Sequence, residues 1–404
     1  MQADKGFVHR KLRKEQCLAM WDGVDMPPPA DVPFPPPPSP VPVLFNSSKF
    51  DFTECDMGGG VRTPLIKAGP QYYLRTLPSK PYYICSPVRG DCAFWWNESI
   101  GECGAEEIAS VNYLYDTTRA TGAGARTYWV DGTAAQTWNR VMFTYCLDCV
   151  NPESPTFTLD PEKALYERVD IYRNPPGHTF MQCDATHGVV TRYGQSLSHV
   201  ASTEEWCSKV CAKCKSGTEA IDSIFMQQSY FRQWRRYLMQ FYRKNPRTTT
   251  GIRYRLLDYH WANFGWGKDP SGLPVHHPHE VWFYKCSGND QDEWHKETPI
   301  KVVFPLNCKT DGTLPRGQLR LLPWVASKGR QVKPLSHPDY ESYEGPLPLE
   351  LAKQWDLRTL SKYLINFLTQ AAIDLLYPEP TDELADSDND DNSGSDSDHI
   401  SDSD

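Results

Sequence analysis

Four short runs rich in Val, Ile, Leu, Tyr, Phe and Trp, at residues 252–260, 281–285, 300–304 and 318–325, crowd into the stretch 251–325. Each is bounded by Gly, Pro, Asn or Asp, the pattern of β-strands between turns. A chain with four such runs must place them in a sheet, because unpaired backbone groups cannot be buried. Between the first two runs lies an aromatic and histidine cluster: Trp261, Phe264 and Trp266, then His276-His277-Pro278-His279-Glu280. Helical patterns flank the block at 218–244 and 357–377. No standard catalytic motif falls within it, which turns the functional reading towards binding.

The 404 residues accommodate one large or two ordinary domains. No run is long and apolar enough to span a bilayer, so no membrane partner is expected. The basic start, 1–17, has no apolar segment behind it of the kind a secretory signal needs. Thirteen cysteines, an odd number at low density, point to a reducing compartment with free or metal-bound thiols. The formal charge of -9 conceals an asymmetry. Residues 379–404 hold 11 of the 51 acidic residues and none of the 42 basic ones, so the remainder carries +2. An anionic partner for the body is compatible with that balance.

Residues 1–23 are basic and read as a short helix or a mobile, solvated arm. Residues 27–42 form a proline tract, which favours extended polyproline. Phe34 followed by four prolines is a sequence that EVH-type domains bind; the alternative is a stiff linker. Residues 45–107 are turn-rich, with a core of their own from Tyr72, Tyr73, Tyr82, Tyr83, Trp95 and Trp96. The triplet Gly58-Gly59-Gly60 lacks the Lys-Ser/Thr of a phosphate loop and reads as a turn. Residues 109–149 alternate in places and predict short antiparallel strands.

Cys146-x2-Cys149 and Cys211-x2-Cys214 are two pairs at ligand spacing. Two intervening residues let both thiolates of a pair reach one tetrahedral zinc. Cys146, Cys149, Cys211 and Cys214 are therefore the expected ligands of a structural zinc, with His187, Cys183 or Cys207 as substitutes. The alternative is buried free cysteines and ordinary core histidines. A redox-active pair would need a strand-to-helix setting, which the prolines at 152 and 155 disfavour.

The helical pattern at 218–244 carries Arg232, Arg235, Arg236, Arg243 and Lys244, interleaved with Tyr230, Trp234, Tyr237 and Tyr242. Cations that neutralise phosphates beside aromatic stacking faces suit nucleic acid. The alternative is a core helix with cations on its wet face. His277 and His279 suggest metal or strand-nicking chemistry, but nicking needs a nucleophilic tyrosine on a helix, and Tyr284 sits in a strand-like run. The structural reading has Pro278 opening the strand at 281–285. The second helix, 357–377, docks on the body or pairs with a partner through Leu357, Leu360, Leu364, Phe367, Leu368, Ala371 and Leu375. The tail is too polar to fold. Ser387, Ser395 and Ser401, each with Asp three residues on, suit acidophilic kinases.

The expected fold class is α+β: a mixed body of short antiparallel strands with two long amphipathic helices, between a disordered proline-rich N-terminal segment and a disordered acidic tail. The expected divisions are a basic, proline-rich arm at 1–44, a cysteine-rich, zinc-stabilised region at 45–215, a helix-strand-helix domain at 216–378 and the acidic tail at 379–404.

Three stretches carry a family resemblance: Leu256-Leu257-Asp258-Tyr259-His260-Trp261, His276-His277-Pro278-His279-Glu280-Val281-Trp282-Phe283, and 319–330 with Leu322-Pro323-Trp324. Together they resemble the foamy virus (spumaretrovirus) Bel family of regulatory proteins, Bet-like or Tas-like. The resemblance implies a non-enzymatic viral accessory protein of the host cytoplasm and nucleus. Bet-like members sequester host cytidine deaminases of the APOBEC class. Tas-like members bind viral promoter DNA and activate transcription. On this reading Trp261, His277, His279, Trp282 and Trp324 belong to a partner-binding surface, with Phe34 as a separate docking element.

Overall fold

The structure, a computed structural model, describes residues 2–24, 46–67, 69–101, 103–119, 123–131, 133, 135–151, 166–174, 181–217, 219–231, 234, 247–248, 256–268, 274–285, 300–303 and 349–380. Outside the described residues lie the proline tract with Phe34, the cations Arg232, Arg235, Arg236, Arg243 and Lys244, Trp324, and the tail beyond residue 380.

The described chain runs α1 (Gln2–Trp21), β1 (Asn46–Met57), β2 (Val61–Thr63), β3 (Leu77–Ser86), β4 (Gly90–Asn97), α2 (Ala105–Thr118), β5 (Ala123–Val130), α3 (Arg140–Val150) and β6 (Arg168–Arg173). It continues through α4 (Gln182–Ser196), α5 (Thr203–Lys213), β7 (Lys215–Ser216), β8 (Glu219–Ala220), β9 (Asp222–Phe225), β10 (Arg247–Thr248), β11 (Trp261–Lys268), β12 (Pro274–Tyr284) and β13 (Ile300–Val303). Two helices follow, α6 (Leu351–Ser361) and α7 (Gln370–Leu376).

Eleven strands make one sheet in the order β10-β13-β12-β11-β6-β5-β1-β3-β4-β9, with β2 beside β3. The pairs β1–β5, β5–β6 and β4–β9 are parallel, and the other neighbours are antiparallel. The body is thus helices on a mixed sheet, which replaces the expectation of antiparallel strands alone. Parallel β5 and β6 cannot be joined by a hairpin, and α3 is the crossover between them. The sheet also runs through the expected division at 215/216, since β9 pairs with β4 and β11 with β6.

Side chains alternate across each strand, so the sheet has two apolar faces. The face under α2 and α3 buries Ile84, Phe94, Trp96, Tyr128, Ile171, Phe264 and Phe283. At its centre is a charged network. The Arg126 guanidinium lies 2.9 Å from Asp51 Oδ2 and 3.3 Å from Asp116 Oδ1. It also sits 4.7 and 4.8 Å from the ring centres of Tyr115 and Tyr128. The hydroxyls of Tyr128, Tyr145 and Tyr166 donate to the Asp116 carboxylate at 2.7, 2.9 and 3.0 Å. Burial opposes the Arg126 charge, but the two carboxylates outweigh it and hold the guanidinium protonated.

The opposite face, under α1, α4 and α5, carries an aromatic ladder across five strands. Trp129 stacks on Tyr172 at 4.8 Å, Tyr172 on Trp261 at 5.5 Å, and Trp261 on Tyr284 at 3.9 Å. Phe52 of β1 extends it, tilted against Trp129 at 6.4 Å. The stacked pairs are direct cross-strand partners in the register, where such pairing stabilises a sheet most. Asp170 anchors the ladder by accepting from Trp261 Nε1 at 2.8 Å and Asn263 Nδ2 at 2.9 Å.

Several expectations are corrected here. Of the two readings of 1–23, the helix is the one found, as α1, and it is docked rather than mobile: it buries Cys17 and Trp21, and Trp21 Nε1 donates to the Phe50 carbonyl at 3.1 Å. Two of its cations are used on the body, with Arg10 3.7 Å from Glu54 and Arg13 over the Phe50 ring. The strands expected within 109–149 are mostly α2 and α3; both helices are buried on nearly every side, which erases the one-sided stripe that marks a surface helix. Over 219–230 the helix expected at 218–244 is instead β8, β9 and a short 3-10 turn, Gln228–Tyr230; between 232 and 244 only Trp234 is described, and it is helical. Its apolar residues serve a strand equally well: Ile221 and Phe225 face one core, Ile224 and Met226 the other. Residues 256–258, expected in a strand, form a 3-10 turn. Tyr72 and Tyr73, expected in a local core, are exposed.

Candidate functional site

The C-terminal helices form a unit clamped to the body. Leu357, Leu364, Ile373 and Tyr377 pack with Leu77 and Ala201. Arg75 reaches Asp356 at 2.8 Å and Glu350 at 3.2 Å, Lys353 pairs with Glu98, and the Tyr377 hydroxyl donates to the Ala201 carbonyl. The helix expected over 357–377 breaks in the middle. A 3-10 turn at Lys362–Leu364 ends its first half, and the Thr369 side chain caps the second by accepting from Ala372 N at 3.3 Å.

That break changes which side chains reach the surface. Phe367 and Leu375, on the stripe expected to be buried, are 48% and 83% exposed. Trp355, Tyr363, Ile365, Leu351 and Leu376 are exposed as well. Seven of the fourteen exposed large hydrophobics among the described residues therefore belong to 351–376. Solvated apolar side chains concentrated in one element characterise contact surfaces, and Trp and Tyr dominate the energetics of such contacts. Phe367 is already supported from beneath, its ring stacked on His199 at 3.6 Å.

Beside this unit, at Glu98, is a cavity of about 220 Å³ lined by Lys80, Trp96, Asn97, Glu98, Gly101 and Cys103. Burial pushes the Cys103 thiol up, with Lys80 working in the other direction. The cavity offers an ammonium, a carboxylate and a neutral thiol.

Those residues singled out in the sequence that are described lie elsewhere. Cys146 and Cys149 sit on α3, fully buried in one core, whereas Cys214 ends α5 in the core on the opposite face and Cys211 is exposed. The sheet separates the two pairs, so the four sulfurs are not gathered. Burial raises the Cys146 and Cys149 thiols well above their ordinary range and takes Cys214 to about 11. Zinc binds thiolates, which such surroundings disfavour. Of the substitutes, Cys183 contacts Cys85, Cys207 lies 3.2 Å from Ser223 Oγ, and His187 packs 6.0 Å from the Tyr83 ring. Among the described residues no three His, Cys, Asp or Glu side chains group to hold a metal ion. No helix among them is long and apolar enough to cross a membrane.

Trp261 and Trp282 are buried, at 9% and 4% exposure, so neither offers a free face to a partner. His277 and His279 lie within β12, where the register against β11 shifts between Phe264/Val281 and Gly265/His277. Pro278 falls inside that irregularity. Proline has no N–H to give a ladder, and an interrupted pairing is where a strand tolerates one. Gly265 completes the bulge with φ +86°; a Cβ there would meet the Glu167 carbonyl oxygen and Val150.

Comparison of the chain with known protein families, with curated proteins and with solved structures finds no match. The Bel resemblance accordingly rests on the residues quoted for it.

Proposed function

We propose that the protein acts by binding another protein, through the apolar surface that 351–376 presents on its clamped C-terminal unit. The observation that carries this reading is the exposure of Trp355, Tyr363, Ile365 and Phe367 on a unit anchored to the body by the packed Leu357, Leu364, Ile373 and Tyr377. Holding such a surface on ion pairs and a small core limits the ordering cost of association. In line with the Bel resemblance, the partner is a host cytidine deaminase of the APOBEC class, held stoichiometrically without catalysis. The proposed surface does not include Trp261 and Trp282, which are buried.

The test is co-purification of a purified APOBEC-class deaminase with the full chain, against a Trp355→Ser, Phe367→Ser double variant. The expected result is a stoichiometric complex with the parent and none with the variant, at unchanged circular dichroism. A parent chain that retains no deaminase would end the deaminase assignment. The transactivator alternative is checked on the same protein by DNA anisotropy over a salt series, where several phosphate contacts give steep weakening with salt.

A further inference from the structure

Cys85, on β3, and Cys183, in the first turn of α4, bring their sulfurs to 3.3 Å inside the core beneath α4. They are 98 residues apart in sequence. Both side chains are buried, at 2% and 1% exposure. The Cys183 thiol donates to the Glu54 carbonyl at 3.1 Å, and Thr186, one turn further along α4, lies 3.8 Å from the Cys85 sulfur. The start of α4 is otherwise held by polar contacts. Asp184 accepts from Met181 N at 2.7 Å, Thr186 Oγ1 donates to Asp91, and Gln182 N donates to Glu54.

We propose that Cys85 and Cys183 are a dithiol–disulfide couple whose oxidation cross-links α4 to the sheet. A disulfide needs its sulfurs about 2.05 Å apart, so closure takes a shift of roughly 1.3 Å, within the reach of a first helical turn. The two S–H bonds break and one S–S bond forms; two electrons and two protons pass to an oxidant of the diazene or peroxide class. Neutral thiols are poor nucleophiles, so the reaction proceeds when α4 opens and one thiol ionises in water. The link then blocks that opening, because it removes the separated states of α4 and β3 from the ensemble.

The experiment uses the full chain carrying Cys211→Ser, which removes an exposed thiol. The reduced, folded protein is treated with diamide, the remaining thiols are alkylated under denaturing conditions, and the digest is mapped without reductant. The expected product is the Cys85 peptide joined to the Cys183 peptide, with slower amide exchange across residues 182–190 that reverts on reduction. Adding Cys183→Ser removes the joined peptide and leaves Cys85 alkylated. Recovery of Cys85 and Cys183 as alkylated monothiols, or Cys183 joined to its neighbour Cys55 instead, overturns the proposal. That mapping needs no core variant to fold.

Discussion

Asp116 and Arg126 meet at 3.3 Å with both side chains at 0% exposure, in the core between the sheet and α2. A charged pair there persists only because every charge has company. Asp51 shares the guanidinium, and three tyrosine hydroxyls complete the Asp116 carboxylate.

Arg126→Met leaves two buried carboxylates without their counter-charge. The expected loss is about 3–5 kcal/mol, the usual range for breaking one side of a buried pair. It is read as a lower guanidinium midpoint with an unchanged slope. Tyr145→Phe removes one donor to a charged acceptor and loses about 1.5–3 kcal/mol.

Trp261→Ala separates a core role from a contact role. The ring is stacked on both sides and its Nε1 donates to Asp170. Removing it destabilises the fold by about 3–5 kcal/mol, whereas a surface contact residue shifts stability by no more than about 0.5 kcal/mol. Thermal unfolding distinguishes the two.

Asp56 gives the protein a pH dependence. Burial, and then Asp131, raise its carboxyl to about 7, above an unfolded value of about 3.9. Below the unfolded value Asp56 is neutral in both states, and its contribution is fully present. As pH rises through 7 the half-buried carboxyl must ionise in the folded state, and that stability is lost. Asp56→Asn keeps an acceptor for the Met57 N–H, 2.8 Å away. The variant is therefore more stable than the parent above about pH 7.5, by on the order of 1 kcal/mol after allowing for solvent screening. The difference vanishes near pH 4. Denaturation midpoints across that range check it.

Gly265→Ala places a methyl group against the Glu167 carbonyl in a left-handed backbone conformation. The expected loss exceeds about 1 kcal/mol. His277→Ala, at the paired position on β12, tests whether the bulge or the histidine matters. A stable His277→Ala beside an unstable Gly265→Ala assigns the irregularity to backbone geometry.

The strand runs at 281–285 and 300–304 were legible in that Val281–Tyr284 and Ile300–Val303 lie in β12 and β13 of the sheet. The docking helix at 357 was legible from Leu357, Leu360 and Leu364, and all three are buried. Legibility failed where burial is complete. Every residue of α2 from Glu107 to Asp116 is buried, so Val111, Tyr113 and Tyr115 read as alternation rather than as one side of a helix. Cysteine spacing misled for a related reason. Cys146 and Cys149 lie at helical spacing inside a core, where small apolar side chains suffice. The exposure of Phe367 and Leu375 depends on the break after Leu364, and neither Gly nor Pro marks that break in the sequence.

The aromatic ladder also imposes an order on synthesis. Tyr172 of β6 has its partner Trp129 as soon as β6 is made, but its other neighbour, Trp261, lies far downstream. At roughly 5–20 residues per second, a ribosome needs on the order of ten seconds to reach it. Throughout that interval β6 is an open edge with an uncovered ring, the state most inclined to pair with another nascent chain. Crowded translation of this message therefore favours aggregation before Trp261 emerges, and slower initiation or a bound chaperone raises the yield of folded protein.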